Sequence, residues 1–317
     1  MKDQVFEAPG LAKFQHPRIT ASGAERASVA LKDADTLWFN TGTLCNITCE
    51  HCYIESSPTN DRLVYISAPE VGDFLDQIGE RGWPVREIGF TGGEPFMNPE
   101  IIAMARLSLG AGFRVLILTN AMAPMMRAAV RDGLLKLRAA FGARLTLRVS
   151  LDHWSGALHD KERGAGSFAR TIAGMDWLRD NDISMTVAGR TVWGENEAAA
   201  RAGYAALYSQ RGYLVDASEL GQTVLFPEMD SSADVAEIST ACWNILGKSP
   251  REVMCSSSRM VVKRKGADAP VVLACTLLPY VPEFELGATL AEAEGEVRLN
   301  HPHCARFCVL GGASCSA

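Results

Sequence analysis

No cysteine occurs between Cys52 and Cys242, so the middle of the chain offers no thiol for a disulfide or a metal. No apolar run reaches the roughly 20 residues that cross a bilayer, and a membrane partner is not expected. Basic charge is not in excess either. Lys and Arg number 31 against 37 Asp and Glu, a net charge of −6, which argues against nucleic acid as the main partner. Residues Met1 to Thr20 lack the basic start and apolar centre of a secretory signal. The expected setting is therefore the cytoplasm, where thiols stay reduced. There is no internal repeat and no low-complexity tract, which sets aside solenoid and disordered architectures.

What is present is thiol in two concentrations. Of nine cysteines, three lie in residues 45–52 and six in residues 242–315. Reduced, clustered cysteines point to metal binding. The first group is Cys45-Asn46-Ile47-Thr48-Cys49-Glu50-His51-Cys52, spaced C-x3-C-x2-C directly after the apolar run Leu37-Trp38-Phe39. A compact loop after a strand can turn three thiolates toward one point, and no fourth cysteine is local. Zinc with His51 as fourth ligand is one reading of this loop.

Residues 1–36 carry no strong period, and Pro9, Gly10, Pro17 and Gly23 interrupt any pattern, so a loosely packed extension is expected. From Leu37 the signals alternate. Strands are expected at Leu37–Phe39, Val85–Phe90, Phe113–Leu118, Leu145–Leu151, Ile183–Val192 and within Tyr213–Leu225. Helices are expected between them. Ser67 and Glu70 form a capping box for one whose apolar face is Val71, Phe74, Leu75 and Ile78. Others start near Asn98, Met125, Ser167 as a cap, and Glu195. Six strands with helical crossovers imply a parallel sheet. The fold class is α/β, a partial (β/α)6 TIM-like barrel over 37–240, followed by a small cysteine-rich domain over 241–317. Asp230–Ile245 reads as helix across the boundary, and Met260–Lys263 and Val271–Ala274 as short strands of the second domain.

Ligands bind at the C-terminal strand ends of such barrels. The unusual residues collect there: the cysteine loop, then Gly92-Gly93-Glu94-Pro95, Asn120, Ser150 with Asp152, and Arg190. His153 and His159 fall in what reads as a solvated or substrate-lining loop.

With Cys45, Cys49, Cys52, Tyr53 and Gly92-Gly93-Glu94-Pro95 in this order and strand context, the chain resembles the radical S-adenosylmethionine (radical SAM) superfamily over roughly residues 37–226. The resemblance implies a 4Fe-4S cluster on the three thiolates, with S-adenosylmethionine on the fourth iron. It implies that Gly92 and Gly93 let backbone approach this cofactor, and that Glu94 accepts hydrogen bonds from its amino group. By the same resemblance Arg190 pairs with its carboxylate, Ser150 and Asp152 bond its ribose, and His51 stacks on its adenine. Asn120 and Tyr53 complete the implied cofactor site.

Cys242, Cys255, Cys275, Cys304, Cys308 and Cys315 resemble, in layout rather than strict spacing, the SPASM and twitch auxiliary-cluster domains of that superfamily. The implied ligands of one auxiliary 4Fe-4S cluster are four among Cys255, Cys275, Cys304, Cys308 and Cys315. Cys242, beside Trp243, reads as a buried structural thiol. A zinc-stapled tail, or a cluster with an open iron that binds substrate, is the alternative.

The expected activity is reductive cleavage of S-adenosylmethionine followed by hydrogen abstraction from a small-molecule or peptide substrate. The auxiliary cluster would assist a net oxidation, with electrons from an external donor such as flavodoxin or ferredoxin. A cofactor-pathway rearrangement or lyase, with substrate anchored at the auxiliary cluster, is the alternative chemistry. A non-catalytic iron–sulfur carrier or scaffold is the alternative class.

Overall fold

The computed structural model describes residues 12–227 and 234–311. Strand β1 (Ser28–Val29) is followed by β2 (Thr36–Asn40), β3 (Glu87–Thr91), β4 (Arg114–Thr119), β5 (Leu145–Ser150), β6 (Ser184–Arg190) and β7 (Thr223–Phe226). Neighbours from β2 to β7 pair in parallel throughout. The crossovers carry α1 (Ala68–Arg81), α2 (Ile101–Gly110), α3 (Ala128–Phe141), α4 (Gly156–Arg163), α5 (Ser167–Asp180) and α6 (Glu197–Arg211), with a short α7 (Cys242–Leu246) beyond. This is the six-stranded partial barrel expected from the alternating pattern.

The sheet does not stop at six. β8 (Ser258–Val262) pairs in parallel with β2, β9 (Val271–Leu273) runs antiparallel to β8, and β10 (Glu285–Gly287) antiparallel to β9. The full order is β10-β9-β8-β2-β3-β4-β5-β6-β7. Strand alternation divides the core in two. Leu37 and Phe39 face the helices and join Val71, Phe74, Ile88 and Phe90 in one cluster. Trp38 points the other way and packs with Met260, Val262 and Leu273 in a second. Gly89 makes room for it, since a Cβ there would lie 2.3 Å from the Trp38 ring.

Several expectations are corrected. Residues 1–11 of the N-terminal segment lie outside the described residues, and its described part is not loosely packed: Arg26, Ala27 and Val29 are fully buried, and β1 pairs with β11 (Val297–Arg298). Arg26 is retained inside by an ion pair with Glu237 and by the carbonyls of His16, Ile19 and Leu299. Of the helix expected at Asp230–Ile245, residues 234–241 are not helical and the helix is confined to α7, while 228–233 lie outside the described residues. Ser167 is the first residue of α5, with Gly166 in the cap position. The segment holding His159 is not a loop but α4, and both His153 and His159 are buried.

Candidate functional site

The cysteine loop is fixed to the end of β3 by backbone bonds. The N–H of Gly93 donates to the Gly42 carbonyl (2.8 Å), and that of Glu94 to the Leu44 carbonyl (3.1 Å). A Cβ at Gly93 would sit 2.2 Å from the Leu44 oxygen, and one at Gly92 2.5 Å from the Gly42 oxygen. Gly92 also has φ of +141°, a conformation that strains other residues. The two glycines therefore let the strand end press against the backbone that delivers Cys45, as well as facing the cavity. On the far side of the loop the Cys45 N–H donates to the Ser57 carbonyl (3.0 Å), and the Ser56 N–H donates to Cys52 Sγ (3.3 Å).

Glu94 is fully buried, and its carboxylate is committed to the fold. It accepts from the Thr119 hydroxyl (2.8 Å), the Asn120 N–H (2.8 Å) and the Phe96 N–H (3.2 Å). Burial raises its pKa to about 7, against the pull of those donors. The carboxylate is thereby tied to the end of β4, directly after the two glycines that border the cavity.

Two further expected residues, His51 and Asp152, are in contact with α4. His51 is half-exposed and turned to Glu162, whose carboxylate accepts from the His51 backbone N–H (2.9 Å) and lies 2.7 Å from its Nδ1. Its ring is grouped with the carboxylates of Glu50 and Glu162 rather than with the thiols. Asp152 is fully buried in an ion pair with Arg163 (2.6 Å, bidentate), with Arg190 at 3.4 Å. Its carboxyl is held below the ordinary range by the two guanidinium groups, which overcome burial. Both of its oxygens face a guanidinium. Arg190 donates to the His51 carbonyl (3.0 Å), so β6 also holds the cysteine loop. Arg163 and Glu162 escaped the sequence reading because GALHDKER has too few apolar residues to announce a helix.

The remaining expected residues meet. Cys45, Cys49 and Cys52, Tyr53, Gly92 and Gly93, Asn120, Ser150 and Arg190 border one cavity of ≈ 630 Å³, its open mouth included, and Arg163 joins them. Asn120 approaches Cys45 Sγ through its amide (3.9 Å). Burial pushes Cys45 up to about 12 and raises Cys49, so these thiols need a cation to become thiolates. Among the described residues this wall has three soft sulfur donors and no carboxylate or imidazole. That donor set suits iron–sulfur chemistry.

A second thiol cavity, ≈ 340 Å³, is bordered by Cys255, Cys275, Cys304 and Cys308 amid Met254, Leu277, Leu278 and Phe284. Cys304 and Cys308 lie four apart on the π-helical turn Cys304–Leu310, which puts both on one face. Cys255 is steadied by Arg259, which donates to its carbonyl (2.6 Å) and is anchored on Ala293 and Gly295. Burial pushes Cys255 up to about 11 and raises Cys304 well above the ordinary thiol value. Cys242 stands apart, half-buried, with Ser239 at its sulfur (3.4 Å). Cys315 lies outside the described residues.

Three thiols at the C-terminal strand ends, facing a glycine-opened loop junction, form a soft-donor pocket on a partial (β/α) barrel. The chain belongs to the radical SAM superfamily, whose family model matches residues 39–200, and it is a radical SAM enzyme. Over 156 residues it is 33% identical to the AdoMet-dependent heme synthase of Methanosarcina barkeri, covering 47% of this chain and 41% of that protein. Over 171 residues it is 30% identical to the subtilosin biosynthesis protein AlbA of Bacillus subtilis, covering 54% and 35%. The matches thus span less than half the length of these relatives. In fold it resembles Streptococcus suis SuiB bound to S-adenosylmethionine (TM-score 0.56, 13% identity, 80% of this chain and 63% of that one). It also resembles anSMEcpe with bound AdoMet (TM-score 0.57, 12% identity, 81% and 79%). No helix among the described residues is long and apolar enough to cross a membrane.

Proposed function

We propose that the enzyme carries out a net oxidation of a peptide or small-molecule substrate, using an auxiliary 4Fe-4S cluster held by Cys255, Cys275, Cys304 and Cys308. The observation that supports this is the convergence of four thiols, from three separate segments, on one apolar cavity. With four protein donors a cluster there has no open iron, which favours electron uptake over anchoring a substrate. Bound at Cys45, Cys49 and Cys52, the first cluster with S-adenosylmethionine supplies reductive cofactor cleavage and hydrogen abstraction.

The chain's own part is placement. Arg190 and Arg163 offer cations at the cavity wall for a carboxylate, and Ser150 and Asn120 offer hydrogen bonds for a ribose. The backbone of Gly92 and Gly93 bounds the space for the amine, and Tyr53 that for the adenine. The residues after 240 act as the auxiliary-cluster unit, continuous with the barrel through β8. The reduction requires an external one-electron donor of flavodoxin or ferredoxin type. The heme synthase and the bacteriocin biosynthesis protein among the relatives mark the two substrate classes to try first.

The test is anaerobic turnover with deuterium-labelled candidates from each class. Deuterium in 5′-deoxyadenosine, with a product two hydrogens lighter than substrate, is the expected result. Label transfer with a product of unchanged oxidation level would overturn the oxidation and favour a rearrangement.

A further inference from the structure

His303 borders the second thiol cavity and, among the described residues, is its only polar side chain besides the four cysteines and the thioether of Met254; the rest of that wall is aliphatic or aromatic. The residue is 8% exposed. Its Nδ1 is fully buried and has no hydrogen-bond partner. Leaving such a nitrogen unpaired costs roughly 1–3 kcal/mol, so a partner is expected when the site is loaded. The imidazole is not free to swing away. Its backbone N–H donates to His301 Nδ1 (3.1 Å), and the two rings meet edge to face at 4.7 Å. His301 in turn abuts Phe284, which is itself on the cavity wall.

Resting on the auxiliary cluster proposed above, we infer that His303 is a positioning and tuning residue, donating an N–H···S hydrogen bond from its ring to a sulfur of that cluster. Four thiolates already satisfy the metal, so the imidazole has no ligand position to fill. Sulfur is the acceptor this apolar cavity would hold. Hydrogen bonds to cluster sulfurs stabilise the more negative, reduced state and raise the potential. His303 would thereby make the auxiliary cluster a better electron acceptor for the oxidation.

The experiment uses full-length Cys45→Ala/Cys49→Ala/Cys52→Ala protein, reconstituted anaerobically, so that the auxiliary cluster is observed alone. Iron content and the EPR-monitored midpoint potential are compared with those after adding His303→Leu or His303→Gln. The expected result is unchanged iron, a more negative potential for His303→Leu, and an intermediate potential for His303→Gln, which keeps an N–H donor. Unchanged iron with an unmoved potential overturns the inference and leaves the cluster proposal standing. Loss of iron in both His303 variants overturns it in favour of a ligand or packing role. Absence of iron from the three-cysteine variant itself removes the auxiliary cluster, and the inference with it.

Discussion

Glu162 binds His51 twice, at the backbone N–H and at the ring, while its own carbonyl accepts from the Glu50 N–H (2.9 Å). The last turn of α4 is thus a clamp on the loop between the second and third cluster cysteines. Glu162→Ala removes both side-chain bonds and leaves the thiols untouched. We expect weaker iron retention at Cys45, Cys49 and Cys52, and 5′-deoxyadenosine formation down by roughly 100-fold, the scale of an ångström-level misplacement. Iron at the second cavity stays unchanged. Separate iron counts in each cysteine-variant background check this.

Arg163 and Asp152 are a buried pair beside the same thiols. Arg163→Met leaves Asp152 only the longer contact to Arg190. Breaking one side of a buried pair costs about 3–5 kcal/mol. We expect a lower unfolding midpoint, visible by thermal denaturation, together with loss of S-adenosylmethionine binding measured by equilibrium dialysis.

Gly93→Ala brings a methyl group into the Leu44 carbonyl, where backbone rather than a flexible side chain must yield. The strand end and the cysteine loop then separate. We expect a protein that folds with a stability loss of about 1–3 kcal/mol and fails to assemble the first cluster. The absorbance of the reconstituted protein near the iron–sulfur charge-transfer band, compared with Gly79→Ala on the exposed face of α1, reads this directly.

The parallel strands were legible because both their faces are covered. Phe113–Leu118 is nearly unbroken apolar sequence, and β4 occupies 114–119. The Ser67–Glu70 capping box is present as written, since it depends on local chemistry alone. Cysteine clustering pointed to both cavities, because the thiols that border each of them are grouped in the chain. What escaped depended on tertiary pairing. α4 is polar along its length and is stable through its bonds to the cysteine loop, so its period carries no hydrophobic signal. Arg26 inside the N-terminal segment reads as solvated until Glu237, distant in sequence, is placed beside it. The contacts of His51 and Asp152 were not legible in sequence because their partners, Glu162 and Arg163, sit on that unrecognised helix.

His159 is fully buried with both ring nitrogens unpaired. Burial, aided by Arg163, lowers its pKa from 6.5 to about 4. A histidine depressed in the fold contributes stability above pH 6.5 that is lost as pH falls toward 4. The loss from this group is roughly 3 kcal/mol. His159→Leu should flatten the unfolding free energy over that window by close to one proton. His301, also held down to about 4, titrates in the same range and remains in the variant. Urea unfolding of cluster-free protein across the window tests it.

The central claim is that this chain holds two separate thiolate-ligated clusters. Iron and sulfide analysis with Mössbauer spectroscopy, on Cys45→Ala/Cys49→Ala/Cys52→Ala protein and on Cys255→Ala/Cys304→Ala protein, tests it most directly. Each variant should keep about four irons as a single 4Fe-4S cluster, and the unmodified chain about eight. A three-cysteine variant with iron near zero, while the unmodified chain holds about four, would contradict it.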